Sequence, residues 1–202
     1  MIIIAGQGNP GPKYADNRHN VGFWVLDEIA AHYNFRPWRE KFNAMVSEGV
    51  IETQTGPVKA LLLKPMTFYN ESGQALAKAA KFYKIKASDI ILFHDEIDLA
   101  PGRLRVKQGG GHSGNNGVRS ALAHLGPDIR RIRIGIGHPG EKSKVMPYVL
   151  SDFSKADQVW LDPLISACVR SLGLLCQGAD ERYQSEVMRL APAPKLDPKQ
   201  TG

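Results

Sequence analysis

The sequence predicts an α/β fold, a single domain with a mixed, largely parallel twisted sheet flanked by helices. Three observations predict it. The chain has 202 residues, enough for one well-packed core and few for two, and 43% of them are hydrophobic against 23% charged, an ordinary globular balance. Short apolar runs such as residues 2–5 and 90–93 lack polar alternation, the pattern of strands covered on both faces. These runs alternate with helix-periodic segments, as in βα units around a parallel sheet.

In chain order, residues 1–6 read as a buried strand and 20–34 as an amphipathic helix with Val21, Val25 and Ile29 along one face. Strands at 43–51 and 58–64 form a hairpin around Gly56-Pro57. The helix over 71–84 carries Leu76, Ala80 and Tyr83 in a stripe, with Asn70 as N-cap. DIILFH, 89–94, is a central strand that delivers Asp95 to a loop. After Pro101-Gly102, RLRVK alternates as a strand with a basic outer face, and GGGHSGNNG, 109–117, is a loop leading into a helix that ends at Gly126. RRIRIGIG, 130–137, alternates again. Residues 138–150 read as a mobile connection, followed by helices to about residue 190 with a break at Pro163. Residues 1–190 therefore make one domain, and the proline-rich 191–202 reads as a disordered tail. No internal repeat is present.

The opening GQGNPG matches G-x-G-x-x-G through Gly6, Gly8 and Gly11, a dinucleotide loop only if a helix starts at the last glycine and an acidic residue ends a second strand. Pro10, Pro12 and a polar, aperiodic continuation deny that helix a start, and Asp27-Glu28 falls inside a helix. No nucleophile elbow, C-x-x-C, H-E-x-x-H or P-loop occurs, so no metal and no cofactor are expected. Cys168 and Cys176 sit in an apolar helical segment as packing residues. With no signal-peptide pattern and no apolar stretch of spanning length, a cytoplasmic protein without a membrane partner is expected. The charge is concentrated: nine basic against two acidic residues between Gly102 and Lys144 give +7, whereas the whole chain nets +6. A positive excess held in one region suits a phosphate-rich partner as well as a solvated face.

In open α/β sheets ligands bind beyond the carboxyl ends of the strands, which selects the loops carrying residues 9–20, 95–98 and 109–117. These hold histidine, aspartate and asparagine, the parts for general-base activation of water with amide donors on a carbonyl. His19, His94, His112 and His138 lie near strand ends, while His32 and His124 fall on helices. Residue type alone does not choose among the first four.

GNPG (8–11), Tyr14, RHNVG (18–22), KPMTFYNESG (64–73), HDEIDLAPG (94–102), GGGHSGNNG and RIRIGIGHP (131–139), in that order, resemble bacterial peptidyl-tRNA hydrolases from residue 1 to about 150. The C-terminal helices agree only in general character. The resemblance implies an enzyme that cleaves the ester between a peptide and the 3′ end of tRNA. It implies His19 as the base that activates water, Asp95 as the carboxylate fixing its tautomer, and Asn9 as the residue that distinguishes a blocked from a free α-amino group. Tyr14, Phe68, Asn70 and Asn116 match positions that contact the terminal adenosine, the peptide or the carbonyl. Arg105, Lys107 and Arg133 match those gripping the 5′-phosphate. The implied partner is peptidyl-tRNA, engaged through its acceptor stem and 3′ end by a monomer. Two positions depart from the family pattern: Asn115 stands where many members carry histidine, and Tyr69 where methionine is common. A non-catalytic RNA-binding protein of the same fold, for which the family has a splicing-factor relative, is the second reading. A nucleotide-dependent enzyme would require saturable binding of NAD or ATP.

Overall fold

Residues 1–195 are described by the computed structural model. Seven strands form one sheet: β1 (Ile2–Gly6), β2 (Arg39–Lys41), β3 (Ala44–Ile51), β4 (Val58–Pro65), β5 (Ile90–Glu96), β6 (Leu104–Gln108) and β7 (Arg130–Gly135), in spatial order β2-β3-β4-β1-β5-β7-β6. The four central strands are parallel, with Ile4 beside both Leu62 and Ile91, and both edges are antiparallel. The expected mixed sheet is observed. Every residue of β1 and β5 is buried, as continuous apolar runs require.

Alternation along these strands feeds two cores. Ile4, Leu62, Phe93 and Ile132 face helices α1 (Val21–His32), α5 (Lys155–Arg170) and α7 (Asp180–Leu190), with α6 (Leu172–Cys176) between the last two. Ile3, Leu61 and Leu92 face α2 (Gly73–Tyr83) and α3 (Asn116–Leu125). Each such fully buried side chain contributes about 1.5–3 kcal/mol. No helix among the described residues is long and apolar enough to cross a membrane.

One close approach sets the site's geometry. A Cβ on Gly6 would lie 2.3 Å from the carbonyl oxygen of Gly22, and one on Gly22 would lie 2.5 Å from the nitrogen of Gln7 and 2.6 Å from the oxygen of Phe93. Two glycines therefore let the start of α1 rest on the ends of β1 and β5. Gly11, at φ 100°, leads into a short 3-10 turn over Pro12–Tyr14, and no phosphate-binding helix follows it.

Several elements differ from the sequence reading. β2 was not expected, because Arg39-Glu40-Lys41 has no apolar alternation; it is a charged edge strand. Asn70 is exposed within a 3-10 turn over Tyr69–Glu71, and α2 starts later, its first nitrogen (Gly73) donating to Ser120 Oγ at 3.0 Å. Asn70 is therefore no N-cap. Asp95 lies inside β5, which runs two residues further than expected. Within 138–150 the chain forms α4 (Val145–Val149), and the Tyr148 hydroxyl donates to the Ile136 carbonyl. Pro163 does not break α5: the residue whose bond it forfeits, Val159, is 78% exposed, so water can satisfy that carbonyl. After α7 the chain continues without regular structure to residue 195, with Ala191 buried; the remainder of the proposed tail lies outside the described residues.

Candidate active site

His19 ends up at the carboxyl edge of the sheet because a 3-10 turn over Arg18–Asn20 feeds directly into α1. Its neighbour Arg18 anchors that turn from outside, donating to Ser151 Oγ and the Asp152 carbonyl, both at 2.7 Å, and to Asp157 Oδ2 at 3.1 Å. His19 Nδ1 lies 2.7 Å from Asp95 Oδ2. Burial pushes the Asp95 carboxyl up, but the charge and hydrogen bond of His19 and a second hydrogen bond from Tyr69 outweigh it, leaving Asp95 below its ordinary range. An ionised Asp95 can only accept, so Nδ1 donates and Nε2 keeps its lone pair. The imidazole is thereby a base aimed away from the carboxylate.

Asn9 is held by three bonds. Its backbone nitrogen donates to Asn20 Oδ1, Asn20 Nδ2 donates to its carbonyl (both 2.9 Å), and its own Oδ1 accepts from the Tyr69 nitrogen at 2.8 Å. With Oδ1 committed, the amide orientation is settled and Nδ2 is left as a free donor among the described residues. GNPG is thus a turn that presents an N–H donor beside the base.

Tyr69, which the sequence reading treated only as a departure, lies at the centre. Its ring stacks on His19 with centroids 3.7 Å apart and planes 8° from parallel, and its hydroxyl donates to Asp95 Oδ1 at 2.6 Å. Burial and the Asp95 charge push the phenol well above its ordinary range, so it keeps its proton. Asn115 Nδ2 reaches the Tyr69 oxygen at 3.0 Å and the Asp95 carbonyl at 3.2 Å, while Asn115 Oδ1 caps α3 by accepting from the Val118 nitrogen. The two departures from the family pattern therefore touch one another. Asn20 was also overlooked; it follows His19 in RHNVG but meets its partner 11 residues earlier.

The other implied residues surround this centre. Phe68 is 61% exposed, Asn70 and Asn116 are exposed, and Tyr14 is half-buried with Lys13 Nζ 5.4 Å from its ring centroid. Ser72 Oγ donates to the Gly117 carbonyl at 3.4 Å, which brings the turn bearing Asn70 against the start of α3 bearing Asn116. The remaining loop histidines are not part of it: His112 and His138 accept locally from the Gly114 and Gly140 nitrogens, and His94 is buried with Nδ1 against the Asp95 carbonyl. Burial pulls the His94 pKa down, so it is neutral.

The strand rule holds for one loop only at its far end. β6 runs antiparallel to β7, so its last residue, Gln108, pairs with the first residue of β7, and the glycine loop leaves from the edge opposite the site, reaching the site only at Asn115 and Asn116. Arg131 steadies its return by donating to the Gly109 and Gly111 carbonyls. The same pairing sets Arg105 opposite Arg133 and Lys107 opposite Arg131, four cations on one face. Arg133 also donates to Glu96 Oε2 at 3.0 Å, and Arg130 is engaged by Asp180 on the other side of the sheet. The basic segment is thus partly structural, with Arg105 and Lys107 outside any ion pair among the described residues. A concavity of about 1090 Å³ lies elsewhere, between residues 52–54 and α5–α7, and no histidine lines it.

An imidazole held by a buried carboxylate, with an amide donor alongside, is an arrangement that suits a hydrolase working through activated water. Comparison specifies which. A model of the peptidyl-tRNA hydrolase family matches residues 3–195, and the chain belongs to that family. A peptidyl-tRNA hydrolase of Hyphomonas neptunium is 63% identical over 201 residues, covering 100% of this chain and 97% of the relative. One of Phenylobacterium zucineum is 56% identical over 199 residues, covering 98% and 95%. The crystal structure of peptidyl-tRNA hydrolase from Acinetobacter baumannii matches with a TM-score of 0.88 at 39% identity, over 96% of this chain and 97% of its own. The resemblance carried by the motifs is borne out.

Proposed function

We propose that this protein hydrolyses the ester joining a peptide, or an N-blocked aminoacyl group, to the 3′ end of tRNA, and so recycles tRNA from aborted translation. The single observation supporting the mechanism most directly is the 2.7 Å contact of His19 Nδ1 with Asp95, which leaves Nε2 free as a base. Water attacks the ester carbonyl carbon as Nε2 takes its proton. The tetrahedral oxyanion then collapses, the bond to the ribose oxygen breaks, and the imidazolium returns the proton to that oxygen. Asp95 stabilises the imidazolium throughout.

Asn9 Nδ2 is a donor for an acyl carbonyl, and it distinguishes a blocked substrate because an amide there accepts where a free ammonium would repel a donor. Phe68 and Tyr14 offer aromatic surface to the peptide and terminal adenosine, with Asn70 and Asn116 as amide contacts. Arg105, Lys107 and Arg133 meet the 5′-phosphate and acceptor stem. Like charges directly opposite on paired strands are unfavourable without an anion between them, so this face gains stability when phosphate arrives. The enzyme is expected to act as a cytoplasmic monomer.

The test is release of tRNA from N-acetyl-aminoacyl-tRNA and from unblocked aminoacyl-tRNA, in the presence of a chelator, by wild type and Asn9→Ala. The expected result is fast cleavage of the blocked substrate alone, with selectivity reduced in the variant. Salt-sensitive tRNA binding without cleavage of either substrate would instead identify a non-catalytic RNA-binding protein.

A further inference from the structure

Starting from α3, a chain of directed bonds leads to the base. The Asn115 Oδ1 is committed to the Val118 nitrogen at 2.9 Å as the helix cap, so its Nδ2 must point into the site. There it donates to the Tyr69 oxygen at 3.0 Å. A phenol oxygen that is accepting has its own hydrogen free for another partner, and the nearest acceptor is Asp95 Oδ1 at 2.6 Å. Among the described residues the other carboxylate oxygen then serves His19 alone. Tyr69 is buried, and its ring packs closely on α3: a Cβ on Gly117 would lie 2.4 Å from Tyr69 Cε1. The ring carries the imidazole stacked on it, centroids 3.7 Å apart.

We propose that Tyr69 is a positioning residue for the His19–Asp95 pair, its ring the platform under the imidazole and its hydroxyl a second donor to Asp95, with Asn115 directing that hydroxyl. The inference rests on His19 being the base. It adds a role for the two positions where this chain departs from the family pattern. The platform favours the imidazolium over the imidazole, because a ring face attracts a cation. The hydroxyl works in the opposite sense by drawing charge from the carboxylate that holds the imidazolium. Together they hold the base in place without making Asp95 grip its proton too strongly. The titratable groups around the pair are Tyr69, His94 and Glu96, with Arg133 tied to Glu96 on the opposite face of β5.

Steady-state hydrolysis of N-acetyl-aminoacyl-tRNA, measured from about pH 5 to about pH 9 for wild type, Tyr69→Phe, Asn115→Ser and His19→Ala, tests this. Tyr69→Phe keeps the platform and loses the donor. Its kcat is expected to fall about fivefold with KM little changed, and the acid limb of its kcat/KM profile to move up by about half a pH unit. Asn115→Ser keeps a helix cap but loses the amide donor, and is expected to shift the same limb in the same direction by less. An acid limb that stays put or moves down in Tyr69→Phe, or a loss confined to KM, overturns the proposal. Should His19→Ala remain active, the underlying reading of the base fails. An inactive His19→Ala beside a wild-type-like Tyr69→Phe removes only the role given to Tyr69.

Discussion

Asp95 carries a pH dependence whose sign follows from its surroundings. Burial raises its pKa, and the bonds from His19 and Tyr69 lower it further than burial raises it, so the folded value lies below the unfolded one. Such a carboxylate contributes stability that is complete above its unfolded pKa and is lost as pH falls through the folded value. Denaturation of wild type and Asp95→Asn over a series of pH values should therefore show a stability gap that narrows between about pH 5 and about pH 2. A gap independent of pH would mean that Asp95 is not held ionised by its neighbours. The meeting of His19, Asp95 and Asn9 at one place was legible in the sequence because they lie within ordered motifs. Tyr69 was not, since an aromatic beside Phe68 reads as packing until Asp95, 26 residues away, and Asn115, 46 residues away, are folded against it. Asn20 escaped notice for the same reason, its partner being fixed only when the GNPG turn closes.

Among the elements, those with strong apolar patterns were readable: β1, β5 and the hairpin of β3 and β4 appear within two residues of their expected bounds. Direction was not readable for β6, whose alternation is the same in a parallel or an antiparallel partner; only the pairing with β7 settles it. Pro163 was taken as a break because proline forfeits a helical bond, but its cost falls on the solvent side of α5. Pro163→Ala should accordingly stabilise the protein, raising Tm by about 2–4 °C in a thermal melt. A lowered Tm would show that the ring is needed for packing. The contact of α1 with the sheet is less forgiving. Gly22→Ala places a methyl against the backbone of Gln7 and Phe93, and is expected to cost about 1–3 kcal/mol of stability and to impair hydrolysis by displacing the turn that carries His19. A variant with wild-type stability and rate would contradict that coupling between element packing and base position.

Over the whole molecule, parallel strands deliver the base, carboxylate and amide donor to one edge, while the antiparallel edge formed by β6 and β7 adds a face with Arg105, Lys107, Arg131 and Arg133. The concentration of charge was visible in the sequence; its division was not, because whether an arginine binds a partner or holds the fold depends on groups such as Asp180 and the Gly109 carbonyl that only folding brings close. If Arg105, Lys107 and Arg133 each meet a phosphate, log K for tRNA binding should fall against log salt with a slope of about −3, and Lys107→Ala should reduce that slope by about one. A flat response would remove this face from the substrate site. The predictions about hydrolysis depend on one claim, that His19, held by Asp95, activates the attacking water. The most direct measurement is single-turnover release of tRNA from N-acetyl-aminoacyl-tRNA by His19→Ala, with substrate binding checked on the same sample. Retained binding with the rate reduced by about 10² to 10⁴ is the predicted result. Retained binding with a wild-type rate would contradict it.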